Sequence, residues 1–138
     1  AIGSSEAKFG LTESRLGLLP AVISPYVIAA IGARQARRWF ATAETFDAAE
    51  AQRIGLLHAV VPADALDAAV KRQVDLLLNA GPFAASHAKV LVRRISSEDD
   101  RDKQDRDNAE LIARLRVSSE GQEGLAAFLE KRKPGWAP

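Results

Sequence analysis

Residues 7–20 read AKFGLTESRLGLLP and place a single carboxylate, that of Glu13, among apolar residues and glycines. The leucines and the phenylalanine favour burial, and the two glycines and Pro20 allow sharp bends of the backbone. A carboxylate in such a setting either pairs with the nearby Arg15 or is held partly desolvated. Desolvation favours the protonated form of a carboxyl group and suits it to transferring protons near neutral pH. An ordinary exposed glutamate on a turn is the structural alternative.

The pattern of residues 7–20 resembles the second active-site segment of the crotonase superfamily, also called the enoyl-CoA hydratase/isomerase family. Three further blocks resemble the same family, in the same order along the chain. They are Ala30-Ile31-Gly32 with Ala36 and Arg37, the stretch from Phe46 to Pro62 centred on Gly55-Leu56-Leu57, and the closing segment from Glu123 to Pro134. Four blocks in order form a specific signal, whereas any one of them alone would be weak.

Composition and charge limit the classes of partner. The 138 residues are 47% hydrophobic, which is enough for a packed core, and the net charge of +1 gives no electrostatic reason to expect a nucleic acid or a membrane. The sequence contains no cysteine, which excludes disulfides and thiolate metal sites. No apolar run approaches the roughly 20 residues of a membrane-spanning helix. The resemblance to bacterial members of the family implies a cytoplasmic protein of a bacterium.

The chain also contains no methionine and begins at Ala1. Because a primary translation product begins with methionine, we expect a fragment or a processed piece of a longer protein. The comparison with the family pattern indicates that the front half is the missing part.

In the first part of the chain, we expect the end of a strand and a turn over residues 1–10, and irregular backbone over residues 16–25. Ser24 is expected to cap a short helix over residues 26–31, which Gly32 ends. The remaining elements expected here are a helix over residues 34–42, a helix begun by an Asp47–Glu50 capping pair and ended at Gly55, and a strand over residues 56–61 containing His58.

In the middle of the chain, Asp64 is expected to cap a long helix with an apolar stripe at helical spacing. The residues predicted to be buried along this stripe are Leu66, Val70, Val74 and Leu77. Residues 79–82, Asn-Ala-Gly-Pro, would end this helix and begin another, from Phe83 to about Ile95.

Towards the C-terminus, the mixed charges of residues 96–108 indicate a solvated helical turn or a mobile loop. Leu111, Ile112 and Leu115 predict a further helix. Ser119 and Gln122 are expected to form the N-cap pair of the last helix.

The resemblance implies an α/β fold. Residues 1–80 would be the C-terminal part of a crotonase-like ββα spiral core, and residues 81–138 a helical trimerisation region. The implied assembly is a homotrimer or a dimer of trimers.

The resemblance also implies an enzyme that binds an acyl-CoA thioester and holds its carbonyl oxygen in an oxyanion hole of two backbone N–H groups. Hydratases of this family add water across the 2,3 double bond with two glutamates. By the match of motif, Glu13 is the second of these, the acid that delivers a proton to C2. Ala21 occupies a position whose backbone N–H helps to hold the nucleophilic water, and where the family usually has glycine. The first glutamate and the oxyanion donors would belong to the missing front half.

The acyl group is suggested by residues 23–26, Ile-Ser-Pro-Tyr, which depart from the commoner hydratase pattern. This variant resembles bacterial methylglutaconyl-CoA hydratases of leucine breakdown, and hydratases of acyclic-terpene breakdown. Such substrates carry a second carboxylate, which requires a cationic or hydroxyl partner in the pocket. The candidates are Arg15, Ser24 and Tyr26; their structural alternatives are a surface or ion-pair arginine, a helix cap and a core aromatic residue.

Phe128 and Lys131 match family positions that contact CoA, where the lysine would meet a phosphate. The structural alternative for Lys131 is a solvated lysine at a helix C-terminus. The resemblance implies no metal and no organic cofactor, since CoA arrives as part of the substrate. His58 and His87 have no acidic partner at metal-ligand spacing, so we interpret both as packing residues.

Three other functions need consideration. One branch of methylglutaconyl-CoA hydratases binds AU-rich RNA, but the basic clusters at residues 34–38 and 131–133 are not interleaved with aromatic residues that could stack bases. An enoyl-CoA isomerase can work with a single glutamate at the Glu13 position. A non-catalytic binding or assembly module is the third, because this chain has no oxyanion hole of its own.

Overall fold

The computed structural model of the protein describes residues 1–97 and 99–138. The chain divides into two compact units, Ala1–Arg72 and Gln73–Pro138. The content is α/β and mostly helical, with short strands in the first unit. The division at residues 80 and 81 that the family resemblance implies stays a prediction.

The first unit contains two small sheets. Strand β1 (Ile2–Ser4) pairs in parallel with β4 (Ala59–Val61), and β2 (Lys8–Gly10) pairs antiparallel with β3 (Thr45–Asp47). Phe9 lies opposite Phe46 in the second pair, and their rings are stacked with centroids 5.9 Å apart. This cross-strand aromatic pair fixes the register of β2, which leads directly into the segment containing Glu13.

Helix α1 (Ser24–Thr42) is bent at Gly32, whose φ of 74° and ψ of 157° lie outside the helical region. A left-handed φ with an extended ψ is readily adopted only by glycine. The expectation of two short helices separated by Gly32 therefore describes this element well. Ser24 does not cap it, because the N-cap position is Ile23 and no side chain caps the helix there. The serine hydroxyl instead donates to the Ala21 carbonyl at 2.9 Å.

The core of the first unit lies between α1, β3 and the short helix α2 (Ala48–Arg53). Trp39 and Phe46 form its aromatic centre, with ring centroids 4.4 Å apart. The expected start of α2 is confirmed, since the Asp47 carboxylate accepts the backbone N–H of Glu50 at 2.8 Å. The strand expected over residues 56–61 is shorter, because only Ala59–Val61 pair with β1 and His58 precedes them.

Helix α3 (Leu66–Leu78) follows a 3₁₀ turn, Ala63–Ala65, which contains Asp64. The prediction of a buried stripe on α3 is wrong for this structure: Val70, Val74 and Leu77 are 44%, 45% and 59% exposed. Helical spacing identifies residues that share a face, but it does not establish that the same chain covers that face.

The second unit is helical, with α4 (Pro82–Ser97), α5 (Arg101–Arg116) and α6 (Ser119–Leu129). Asp100 caps α5 by accepting the Lys103 N–H at 3.0 Å, so residues 101–108 are helical and the loop interpretation is wrong for them. The prediction for Glu98 lies outside the described residues. The N-cap of α6 is Ser118, which accepts the Gly121 N–H at 3.1 Å, rather than the expected Ser119.

Within the described residues, the helices are too short or too polar to cross a membrane.

Candidate active site

Glu13 lies on a 3₁₀ helix, Thr12–Leu16, that follows β2. Gly17 ends this turn with a φ of 71°, and its N–H bonds to the Ser14 carbonyl at 3.2 Å. The Glu13 carbonyl accepts the Leu18 N–H at 3.1 Å. The Ser14 hydroxyl donates to the carbonyl of Phe40, in the last turn of α1. The segment containing the carboxylate is therefore tied to β2 at one end and to α1 in its middle.

The Glu13 side chain is half-buried, and its Oε2 atom is inaccessible to solvent and has no hydrogen-bond partner among the described residues. Glu13 and the exposed Arg15 form no ion pair within the described part of the chain. Of the two arrangements that the sequence left open, the structure has the partly desolvated one. A buried oxygen without a partner costs free energy, so such an atom marks a place where a ligand or a proton can be accommodated.

A cavity of about 260 Å³ adjoins this carboxylate. The residues that line it with Glu13 are Leu19, Pro20, Ala21, Val22 and Ile23. Glu13 is the only titratable residue among these lining residues. The arrangement thus places one carboxyl-bearing residue among otherwise apolar lining residues, which suits proton transfer to or from a carbon acid.

Ala21 lies on the same cavity, so the structure brings together the two predicted catalytic positions. The Ala21 N–H donates to the Leu19 carbonyl at 2.8 Å, which closes a tight turn. A water molecule would have to share this N–H with that carbonyl. The Ser24 hydroxyl holds the turn from the other side through the Ala21 carbonyl.

The three residues predicted to bind a second carboxylate of the substrate do not lie together at this cavity. Ser24 is half-buried, Arg15 is exposed, and Tyr26 is 76% exposed. None of the three lines the cavity beside Glu13. The core assignment considered for Tyr26 is wrong, because the residue that α1 buries next to it is Val27.

Several lining residues were not predicted from the sequence. Leu19, Val22 and Ile23 read as ordinary apolar residues, and their only signal was that they follow the Glu13 motif directly. A second cavity, of about 360 Å³, lies within the same unit and shares Ile23 with the first. Its lining is apolar and includes Phe9, Val27 and Phe46.

The predicted CoA contacts, Phe128 and Lys131, belong to the second unit. Phe128 is on α6 and is 80% exposed. Lys131 is exposed and has a left-handed φ of 54°, just after the end of the helix. The exposure of both residues leaves them free to contact a ligand.

Over residues 1–97 and 99–138, the acidic and histidine side chains form no group of three or more that could hold a metal ion. The expectation that the protein needs neither a metal nor an organic cofactor stays a prediction.

Comparison with known proteins gives consistent matches over the whole chain. The enoyl-CoA hydratase/isomerase family matches residues 1–138. A probable enoyl-CoA hydratase, echA8, of Mycobacterium bovis is 36% identical over 134 residues, which are 96% of this chain and 52% of that protein.

Two solved structures are among those that share this fold. An enoyl-CoA hydratase from Shewanella pealeana is 46% identical, with a TM-score of 0.92 over 99% of this chain and 51% of the other. Pseudomonas aeruginosa AtuE is 40% identical, with a TM-score of 0.95 over 100% of this chain and 54% of the other. The chain spans about half the length of the curated relatives that it matches.

These matches confirm the resemblance at the level of the superfamily and of its fold. Agreement extends over every residue of the chain, through both compact units, and includes the segment that contains Glu13. The chain therefore belongs to the enoyl-CoA hydratase/isomerase family, the crotonase superfamily.

Proposed function

We propose that the complete protein containing this chain is an enoyl-CoA hydratase, a lyase that adds water to a 2-enoyl-CoA thioester. This chain would be its C-terminal half. The observation that supports the proposal best is the Glu13 carboxyl group, whose Oε2 atom is buried without a partner beside an apolar cavity. Family membership supports the reaction class.

In the proposed reaction, the hydroxyl group of water bonds to C3 of the substrate and the 2,3 double bond breaks. The electron pair moves to C2 and the thioester carbonyl, and Glu13 delivers a proton to C2. The carboxyl group then regains a proton from the attacking water.

The proposed reaction also needs groups that we assign to the other half of the protein. They are the first glutamate and the two backbone N–H donors of the oxyanion hole. Such donors stabilise the developing enolate by several kcal/mol. We assign Ala21 the binding of the nucleophilic water through its backbone N–H, which requires that it share this donor with the Leu19 carbonyl.

For the acyl group, we propose 3-methylglutaconyl-CoA or a related branched glutaconyl-CoA. The support is the Ile-Ser-Pro-Tyr sequence of residues 23–26 and a cation close in sequence to Glu13. Arg15 is exposed and has no ion-pair partner in the described part of the chain, so it is available for a substrate carboxylate. Ser24 and Tyr26 are the hydroxyl candidates.

For the CoA portion, we assign contacts to Phe128 and Lys131, on the basis of the closing motif at residues 123–134. A lysine ammonium group is a common partner of phosphate. No metal or organic cofactor takes part in the proposed reaction.

We further propose assembly as a homotrimer or a dimer of trimers through residues 81–138. The support is the large apolar side chains that α4 and α6 expose. They include Phe83, Val92 and Leu129, which are 66%, 67% and 77% exposed. Large apolar side chains that one chain leaves exposed are common at protein interfaces.

The proposal is tested by replacing Glu13 with glutamine in the complete protein and following the loss of the conjugated thioester absorbance of crotonyl-CoA. Loss of a general acid lowers kcat by about two or more orders of magnitude. Glu6→Gln, a change of the same kind at an exposed carboxylate of the same unit, is the matched control and should retain activity. Unchanged kcat in Glu13→Gln would reject the catalytic role. A parent protein that is inactive with both crotonyl-CoA and 3-methylglutaconyl-CoA would favour a non-catalytic module.

An enoyl-CoA isomerase is the second candidate, because Glu13 is the only carboxylate lining its cavity in the described chain and an isomerase needs one glutamate. This reaction removes a proton from C2 of a 3-enoyl-CoA and returns it to C4. Conversion of 3-hexenoyl-CoA to the 2-enoyl isomer without formation of a hydroxyacyl product would favour it. A hydroxyacyl product from crotonyl-CoA would favour hydration.

A further inference from the structure

The chain beyond α6 is held against that helix by one arginine. The Arg132 guanidinium donates to both carboxylate oxygens of Glu123, at 2.6 and 3.0 Å, and its Nε donates to Glu130 at 2.6 Å. The Glu123 Oε1 atom also accepts the Gly135 N–H at 2.8 Å. The Glu123 carboxylate therefore joins the helix to the segment that follows it at two points. We call the Glu123–Arg132 pair with Gly135 the C-terminal clamp.

The Glu123 carboxylate and the Arg132 guanidinium of the C-terminal clamp are both charged near neutral pH. The hydrogen bonds from Arg132, and then that from Gly135, lower the pKa of Glu123 to about 2. The same contact raises the pKa of Arg132. A two-point contact between a guanidinium and a carboxylate fixes orientation as well as distance, which a single contact does not.

Lys131 directly precedes Arg132 and lies in the stretch of chain between the two residues of the ion pair. Its neighbour Arg132 belongs to the clamp, its neighbour Glu130 accepts the Arg132 Nε–H, and the Arg132 backbone N–H bonds to the Ala127 carbonyl at 3.0 Å. Lys131 itself has the left-handed φ of 54°, which is uncommon for a residue with a side chain. Such a conformation persists only where the surrounding contacts impose it. The backbone hydrogen bonds of Lys131 to Phe128 and of Arg132 to Ala127 are the direct contacts at this turn. The clamp holds Arg132 next to the turn, while the Lys131 side chain stays exposed.

We propose that Glu123 and Arg132 are positioning residues, which fix the backbone at Lys131 so that its ammonium group meets a phosphate of the CoA substrate. This inference rests on the proposed function. A lysine side chain has many rotamers, and its contact with an anion is weakened by the freedom it must lose. Holding the backbone on both sides of Lys131 means that only the side chain, and not the turn that carries it, must be ordered when the substrate binds.

The test uses two thioesters of crotonic acid in the complete protein, one of CoA and one of N-acetylcysteamine, which has no phosphate. The measured quantity is the ratio of kcat/KM for the CoA ester to kcat/KM for the truncated ester. Damage to the fold lowers both values together and leaves the ratio unchanged. Loss of a phosphate contact lowers the ratio.

Three variants test this expectation. Lys131→Ala should lower the ratio about tenfold, the size of one charge-assisted contact. Glu123→Gln should lower it about fivefold, because the lysine remains but is less well placed. In the Lys131→Ala background, Glu123→Gln should lower the ratio no further, since its effect acts through the lysine.

The matched control is Glu120→Gln, on the same helix. The Glu120 carboxylate accepts the N–H groups of Phe83 and Ala84, at 2.9 and 2.8 Å, and has no contact with Arg132 among the described residues. This variant should lower stability and leave the ratio unchanged. A ratio that is equally unchanged in Glu123→Gln would overturn the positioning role while leaving the hydratase proposal intact. A parent protein that converts neither thioester would overturn the proposed function, and this inference with it.

Discussion

Glu13 combines two properties that proton transfer to carbon requires: its segment is held in place, and one of its oxygens is kept from water. The 3₁₀ helix, the left-handed Gly17 and the Ser14–Phe40 hydrogen bond provide the first. The burial of the Oε2 atom, which has no hydrogen-bond partner among the described residues, provides the second. The motif in residues 7–20 was sufficient to select this glutamate. It could not identify Leu19, Val22 and Ile23 as lining residues, because a cavity depends on how the turn folds back and not on residue type alone.

At the residue scale, the lowered pKa of Glu123 predicts how the stability of the C-terminal clamp depends on pH. Its pKa in the folded protein is about 2, below the ordinary value of 4.5, so the carboxylate contributes stability that is fully present above about pH 4.5. That contribution is lost as the pH falls towards 2. The indole N–H signal of Trp136, followed by NMR during acid titration, should therefore stay unchanged at pH 5–8 and shift only as the pH approaches 2.

The indole of Trp136 reports on this region because it packs against Gly124 and its N–H faces the Asn79 carbonyl at 3.4 Å. The Glu123→Gln variant is the control. At pH 7 its Trp136 indole N–H signal should already lie at the position that the parent protein reaches only in acid. A parent signal that moves between pH 5 and 8 would contradict a clamp held by a carboxylate of low pKa.

At the scale of elements, most helix positions followed from apolar spacing and from capping residues, and the departures have local causes. Ser118 and Ser119 both precede α6, and sequence alone does not tell which has the extended backbone of an N-cap. The structure selects Ser118, with φ of −69° and ψ of 160°. The charges of residues 96–108 left a solvated helical turn or a mobile loop open, and the cap at Asp100 begins a regular helix over residues 101–108.

The capping assignment gives a matched pair of variants. Ser118→Ala should lower the free energy of unfolding by about 1 kcal/mol, because the Gly121 N–H loses its acceptor. Ser119→Ala should change it little, because alanine suits the first turn of a helix as well as serine does. Urea denaturation of both variants measures the difference. Equal losses, or a larger loss in Ser119→Ala, would show that the N-cap is misassigned.

At the scale of the whole molecule, the sequence predicted the α/β class and the superfamily, and it misjudged how much apolar surface this chain covers. The stripe on α3 and the side chains Phe83, Val92 and Leu129 are exposed. A periodic apolar pattern predicts that one face of a helix is buried, but it does not identify the partner that covers this face. The proposed oligomer would cover part of this surface, and the other half of the complete protein would cover more.

The assembly proposal predicts a trimer or a dimer of trimers for the complete protein in light-scattering measurements. Val92→Glu, a change on exposed α4, should shift the population towards smaller species, because a charge cannot be buried in an apolar interface without a partner. Asp67→Asn, at an exposed polar position of α3, is the control for a change of surface charge. A monomeric parent protein would contradict the assembly.

The most direct measurement of the central claim is deuterium incorporation at C2 during turnover in heavy water. The complete protein should convert crotonyl-CoA to a hydroxyacyl product with one deuterium at C2, delivered by Glu13. In Glu13→Gln the rate of labelling should fall by about two or more orders of magnitude, with the fold retained. Labelling at the parental rate in that variant would show that another group delivers the proton, and would contradict the account.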